Sequence, residues 1–172
     1  MSQIYKLKEY DSGIIEYTYD IHKGYTGLTF TVYDDREMQK FVQDKVIRGR
    51  RGCLRGFHGD NNTGKLFICL KGQIRLIVVD CRKNSETLYQ KYNTILSLKN
   101  RKIVYVPPGF INAHQGYGDY LLLYKWTEYY SGPDNQVTVY WNDKDIDPQW
   151  VWLPKLSDRD ENCRTPLKSV LF

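Results

Sequence analysis

Short apolar runs broken by turn residues recur along this chain, and no long stretch keeps a helical period. LFICL (66–70) and QIRLIVVD (73–80) flank Lys71-Gly72 and predict a hairpin, with RKIVYV (101–106), DYLLLYKW (119–126) and QVTVYW (136–141) as further strands. YTGLTFTVY (25–33) has the aromatic and β-branched content of an edge strand. The polar segment DDREMQKFVQD (34–44) predicts either a single helix or a long loop. From Asp143 onward, Pro148, Pro154 and Pro166 predict a wrapping tail, with one short helical turn after Leu156-Ser157. Turn signals at this spacing are those of an antiparallel sandwich or barrel, and no linker or repeat divides the 172 residues, so a single domain over 1–172 is expected.

Composition reinforces the pattern. Fifteen tyrosines, six phenylalanines and four tryptophans favour sheet over helix bundle, and 41% hydrophobic with 26% charged residues excludes a disordered chain. The net charge of +5 is modest and spread out, apart from Arg48, Arg50, Arg51 and Arg55, which argues for a local anion site rather than a nucleic-acid groove. No run approaches the ~20 apolar residues of a membrane span, and the first ten residues lack a signal-peptide core, so a cytoplasmic protein without nucleic-acid or membrane partners is expected. Cys53, Cys69, Cys81 and Cys163 are far apart and form no CxxC; reduced thiols are expected.

Histidine chemistry must rest on His22, His58 or His114. His58 lies in RGFHGD, where glycines leave backbone room for a ligand and Arg55 offers a planar donor fork for phosphate or carboxylate. Taken alone, such a histidine is more often a satisfied turn residue than a catalyst.

RGFHGD, a Gly-Lys, and later VPPGFINAH together resemble the cupin superfamily, whose β-barrels often hold a metal. At its usual ligand positions this chain has His58, Asp60, Lys65 and Asn112. An ammonium in place of a carboxylate ligand repels a divalent cation, so a site without metal or other cofactor, working by organic acid–base chemistry, is expected.

The resemblance then narrows. FVQD (41–44), LRGFH (54–58), Gly64-Lys65, PPGF (107–110), YKWTEYY (124–130), WND (141–143) and LPKLSDRD (153–160) stand in the order found in nucleotide-sugar 3,5-epimerases similar to dTDP-4-dehydrorhamnose 3,5-epimerase. The likeness runs from about Phe41 to Asp160. The N-terminal third shares least of it: only Lys23-Gly24 stands where the family has Asp-x-Arg-Gly, a region that helps hold the nucleotide.

What the resemblance implies is an all-β cupin (jelly-roll) sandwich with a few short helices, acting as a homodimer on a nucleotide-diphosphate 4-keto sugar. His58 would remove a proton beside the ketone, with Asp160 orienting it; a carboxylate on one imidazole nitrogen fixes the tautomer and stabilises the imidazolium. Tyr124 would return a proton from the other face, and Lys65 would stabilise the enolate. Arg55 and Gln43 match substrate contacts, and Tyr129 or Tyr130 would stack on the base. Two departures stand out. FINAH follows the proline turn where the family has Phe-Ala-His, so Asn112 or His114 takes the vacated role. RGFHGD replaces the commoner RGLHYQ, as in epimerases of GDP-4-keto-heptoses, so the substrate is of the dTDP-4-keto-6-deoxyhexose or the GDP-4-keto-heptose type, used for cell-surface polysaccharide. C3, C5 or both could be inverted. A 3,4-ketoisomerase, which usually has His-x-His where this chain has His58-Gly59-Asp60, and a non-catalytic sugar-nucleotide-binding cupin are the alternatives.

Overall fold

A computed structural model describes residues 3–172. Thirteen strands and one short α-helix are present among them. The six-stranded sheet runs in the order β1 (Ile4–Glu9), β2 (Ile15–Tyr19), β10 (Ile103–Val106), β7 (Lys65–Lys71), β12 (Tyr120–Trp126), β5 (Gln43–Gly49). Facing it, a five-stranded sheet runs β13 (Val137–Thr138), β6 (Leu54–Asp60), β11 (Phe110–Gly116), β8 (Gln73–Asp80), β9 (Lys91–Ser97). The helix α1 covers Asp158–Asn162. This is the expected jelly-roll sandwich.

Apolar side chains fill three layers. Phe67, Ile74, Leu76, Val78, Val104, Leu122 and their neighbours pack between the sheets. Phe57, Ile77, Val79 and Ile111 face outward from the smaller sheet and are covered by tail residues Ile146, Leu167 and Val170. On the outer face of the larger sheet, Tyr17, Leu66, Ile68 and Ile103 are covered by Phe30, Met38 and Phe41. Because central strands are buried on both faces, β7 and β8 read as continuous apolar runs. At one edge Glu16 of β2 accepts hydrogen bonds from Tyr92 of β9 at 2.6 Å and Lys102 at 3.0 Å, tying the sheets together. The opposite edge, between β5 and β13, is where the sandwich opens.

Several local expectations are corrected. β7 and β8 do not form a hairpin: β7 pairs with β10 and β12, β8 with β11 and β9. Lys71-Gly72 is instead a corner between sheets, with Gly72 at φ 74° and so close to the Asp119 carbonyl that a Cβ would sit 2.1 Å from it. Of the two readings for segment 34–44, the loop holds and the helix does not. Asp34 caps a turn, accepting from the Met38 N–H at 3.0 Å, and the chain enters β5 at Gln43. Of residues 25–33 only Gly27–Thr29 is a strand (β4), paired with β3 (His22–Gly24) in a small exposed hairpin rather than at the edge of a main sheet. QVTVYW contributes just Val137–Thr138, because Tyr140 turns to bond the tail at Thr165. The helical turn after Ser157 is present, with Ser157 as its N-cap.

Candidate active site

The site begins with a β-bulge. On β6, Arg55 pairs with His114 of β11 and His58 with Asn112, so Gly56 and Phe57 together oppose Ala113. The extra residue brings Arg55 and His58, three apart, to the same inward side, while Phe57 points to the outer layer. Gly56 makes this possible: its φ is 118°, and a Cβ there would lie 2.4 Å from the Asn112 carbonyl oxygen.

His58 Nε2 lies 2.5 Å from Asp160 Oδ1. Asp160 is 1% exposed and its other oxygen accepts from Ser157 Oγ at 3.0 Å. Burial opposes ionisation of Asp160, but hydrogen bonds from His58, Ser157 and the Gly56 N–H outweigh it and hold the carboxyl below its ordinary pKa. An ionised Asp160 accepts the Nε2–H and leaves the lone pair on Nδ1. Burial lowers the pKa of His58 more than Asp160 raises it, so the imidazole is a neutral base near pH 7.

The larger sheet supplies the rest. Lys65 of β7 sits opposite Trp126 of β12, and Tyr124, two residues back, opposite Lys45 of β5. All four side chains line one cavity of about 510 Å³ together with Arg55, His58, Asn112 and Asp160. Lys65 is 4% exposed and donates to Asn112 Oδ1 at 3.1 Å. Burial brings its pKa down to about 8, and it keeps most of its charge at neutral pH. Tyr124 is pushed well above the ordinary phenol range by burial and remains a proton donor.

The other expected residues are placed differently. Tyr130 lines the cavity, but its ring carries the Lys45 ammonium 3.2 Å from its centroid. Tyr129 is 73% exposed and borders an adjoining hollow with Glu128 and Asn135. Gln43 lies outside the cavity lining and accepts from the Tyr130 backbone N–H at 2.9 Å. His114 is fully buried behind Tyr124, bonded to its hydroxyl at 2.7 Å. The two polar residues after the proline turn thus divide the work: Asn112 holds Lys65, and His114 holds Tyr124.

Lys45, Trp126 and Arg159 line the cavity without having been singled out in the sequence. Arg159 donates to Thr138 Oγ1 at 2.7 Å and to the Gln136 carbonyl at 3.0 Å. Lys45 and Trp126 each lie two residues from a motif residue on a strand, a period-2 signal that places them on the same face. Among the described residues no cluster of three His, Cys, Asp or Glu could hold a metal ion.

A neutral imidazole, a protonated phenol and an ammonium around one cavity are groups able to move a proton beside a carbonyl. The family model for dTDP-4-dehydrorhamnose 3,5-epimerase matches residues 12–167, and the chain belongs to that family. It is 37% identical over 126 residues to the dTDP-4-dehydrorhamnose 3,5-epimerase of Salmonella typhimurium, covering 70% of this chain and 68% of that one. Among solved structures it is similar to the Bacillus anthracis dTDP-4-dehydrorhamnose 3,5-epimerase with TDP and PPi bound, at TM-score 0.87 and 28% identity, covering 95% of this chain and 99% of that one. It is also similar to ChmJ, a 3'-monoepimerase from Streptomyces bikiniensis in complex with dTDP-quinovose, at TM-score 0.83 and 26% identity, covering 91% and 84%.

Proposed function

We propose that this enzyme inverts C3 and C5 of a dTDP-linked 4-keto sugar by abstracting and returning protons on opposite faces of the ring. The observation that carries this is the facing of His58 and Tyr124: the base stands on the smaller sheet and the acid on the larger, across one cavity. A sugar held between the sheets meets the imidazole on one face and the phenol on the other. His58 takes the proton from carbon, and the electron pair moves onto the 4-keto oxygen. Lys65, held by Asn112, supplies positive charge for that oxygen. Tyr124 then protonates the carbon from the far side. The ketone already acidifies both neighbouring carbons, so base, acid and cation suffice without metal or organic cofactor, and chelator treatment should leave turnover unchanged. Arg55, Lys45 and Arg159 add cations suited to the diphosphate.

The product fits supply of an unusual sugar to a cell-surface polysaccharide. A cytoplasmic location accords with four free cysteines, of which Cys69 and Cys81 are buried with thiols pushed up to about 11 and about 12. No helix among the described residues is long and apolar enough to cross a membrane. A homodimer would cover the β3–β4 hairpin, where Leu28 is 56% exposed, and light scattering should give twice the chain mass.

The test is incubation of dTDP-4-keto-6-deoxyglucose, with a GDP-4-keto-heptose in parallel, in deuterated water, locating the label by NMR. Wild-type protein should invert and label both carbons, preferring the dTDP sugar. His58→Ala should neither exchange nor invert, whereas Tyr124→Phe should exchange with retention. A His58→Ala protein that still labels both carbons would overturn the assignment.

A further inference from the structure

His114 of β11 reaches across the sandwich to two tyrosines of β12. Its Nδ1 lies 2.7 Å from Tyr124 Oη and its Nε2 2.9 Å from Tyr120 Oη, with both phenol rings nearly perpendicular to the imidazole, at 88° and 90°. The imidazole is fully buried and Tyr120 is 2% exposed. Among the described residues Tyr120 Oη has a hydrogen bond to His114 alone. The Tyr120 ring is also clamped: a Cβ on Gly49 would fall 2.2 Å from its Cζ, and one on Gly116 2.6 Å from its Cδ1. Its hydroxyl oxygen is therefore held beside the imidazole.

Two proton arrangements satisfy these distances. In one, Nε2–H donates to Tyr120, the Tyr124 O–H donates to Nδ1, and the buried Tyr120 hydrogen has nowhere to go. In the other, Tyr120 donates to Nε2, Nδ1–H donates to Tyr124 Oη, and the Tyr124 hydrogen is directed to the cavity that residue lines. Only the second leaves no buried donor unsatisfied. Burial brings the His114 pKa down to about 3, so the ring is neutral with a single N–H.

We infer that His114, held by Tyr120 as the Nδ1–H tautomer, is a positioning residue that aims the Tyr124 O–H at substrate and stabilises the phenolate left behind. The inference rests on the epimerase reading for the role of Tyr124. In the step it serves, the Tyr124 O–H bond breaks, a C–H bond forms at the substrate carbon, and the electron pair stays on Oη, facing Nδ1–H. The phenolate regains a proton from solvent, and the His58 imidazolium loses the proton it took, before each further inversion, so the enzyme returns to its starting state.

The tautomer is measured directly by long-range ¹H–¹⁵N NMR on uniformly labelled wild-type protein, without reference to activity. We expect Nδ1 protonated and Nε2 bare for His114; the reverse pattern overturns the inference. Tyr120→Phe should move the ring toward the Nε2–H form. In the deuterium assay, His114→Leu should lower kcat for inversion ~100-fold with KM and His58-dependent label exchange retained. His114→Asn, whose amide N–H can stand in for Nδ1–H, should recover part of the loss. Inversion by His114→Leu at the wild-type rate overturns the role. If His114→Leu fails to fold, the wild-type spectrum and the Asn variant still decide. If wild-type protein neither labels nor inverts any 4-keto sugar nucleotide, the epimerase reading has failed, while the spectrum still reports the proton arrangement.

Discussion

The Lys65 ammonium donates to the side-chain oxygen of Asn112 at 3.1 Å, so the most deeply buried cation of the cavity is held by a neutral amide from the facing sheet. A carboxylate in that position would hold the lysine equally well but would neutralise it. Asn112 fixes the geometry and leaves the ammonium its full charge, as the proposed enolate step requires.

That charge is sensitive to pH. Its pKa falls from the ordinary 10.5 to about 8, so kcat/KM should decline above pH 8 as the ammonium loses its proton. Lys65→Met should lower kcat by roughly 100-fold or more, and Lys65→Arg should move the alkaline limb upward. The stability effect has the opposite sense. Between pH 8 and 10.5 the unfolded chain holds a proton that the folded chain has released, so this group's contribution becomes more favourable as pH rises through that window. Lys65→Met should therefore raise Tm at pH 7, read by calorimetry, while activity falls.

Asp160 is hydrogen-bonded to His58 at 2.5 Å, and in the proposed mechanism it orients that imidazole. Replacing Asp160 with Asn keeps the shape but lets the amide donate to the imidazole, favouring the wrong tautomer; kcat should drop by about 10³-fold or more. Because Asp160 raises the His58 pKa against burial, the acid limb of kcat/KM should move to lower pH in Asp160→Asn. Ser157→Ala removes one hydrogen bond that orients the carboxylate and should lower kcat by a smaller factor.

The bulge that aligns Arg55 with His58 depends on Gly56. Gly56→Ala would combine an unfavourable φ of 118° with a contact of 2.4 Å to the Asn112 oxygen. A loss of about 2–4 kcal/mol in urea denaturation is expected. Any folded fraction should show weakened His58-dependent exchange, because the strand must shift where the base is carried.

How far the chain could be read from its sequence follows from the range of each interaction. His58, Lys65, Tyr124 and Asp160 sit in ordered motifs, and the structure brings all four to one cavity. β1, β2, β3, β5, β6, β9 and β11 do not stand out as strands because exposed charges, glycines or motif residues interrupt their apolar pattern, as in KYNTILS and LRGFHGD. The false hairpin at Lys71-Gly72 shows a second limit. A glycine corner between two apolar strands looks the same whether the strands pair or pass to opposite sheets; only partners far along the chain, such as Ile103 opposite Ile68, distinguish them. Period-2 spacing puts Lys45 and Trp126 on the faces of Gln43 and Tyr124, but their meeting in one cavity depends on the pairing of β5, β12 and β7.

Lys45 carries the last prediction. Its Nζ lies 3.2 Å from the Tyr130 ring centroid and 4.5 Å from that of Trp126, and it forms no ion pair among the described residues. Burial lowers its pKa without a compensating carboxylate, so the ammonium is partly desolvated and held on aromatic faces at the cavity wall. A cation prepared in this way gains most when an anionic ligand arrives, because little water remains to be displaced from it. Calorimetric titration with TDP should show Lys45→Met binding ~10-fold more weakly at low salt, with a shallower dependence on ionic strength than wild type. Thymidine, which lacks the phosphates, should bind both proteins alike. Equal TDP affinity in the two proteins would place the diphosphate elsewhere, on Arg55 and Arg159, and leave Lys45 as a support for Tyr130.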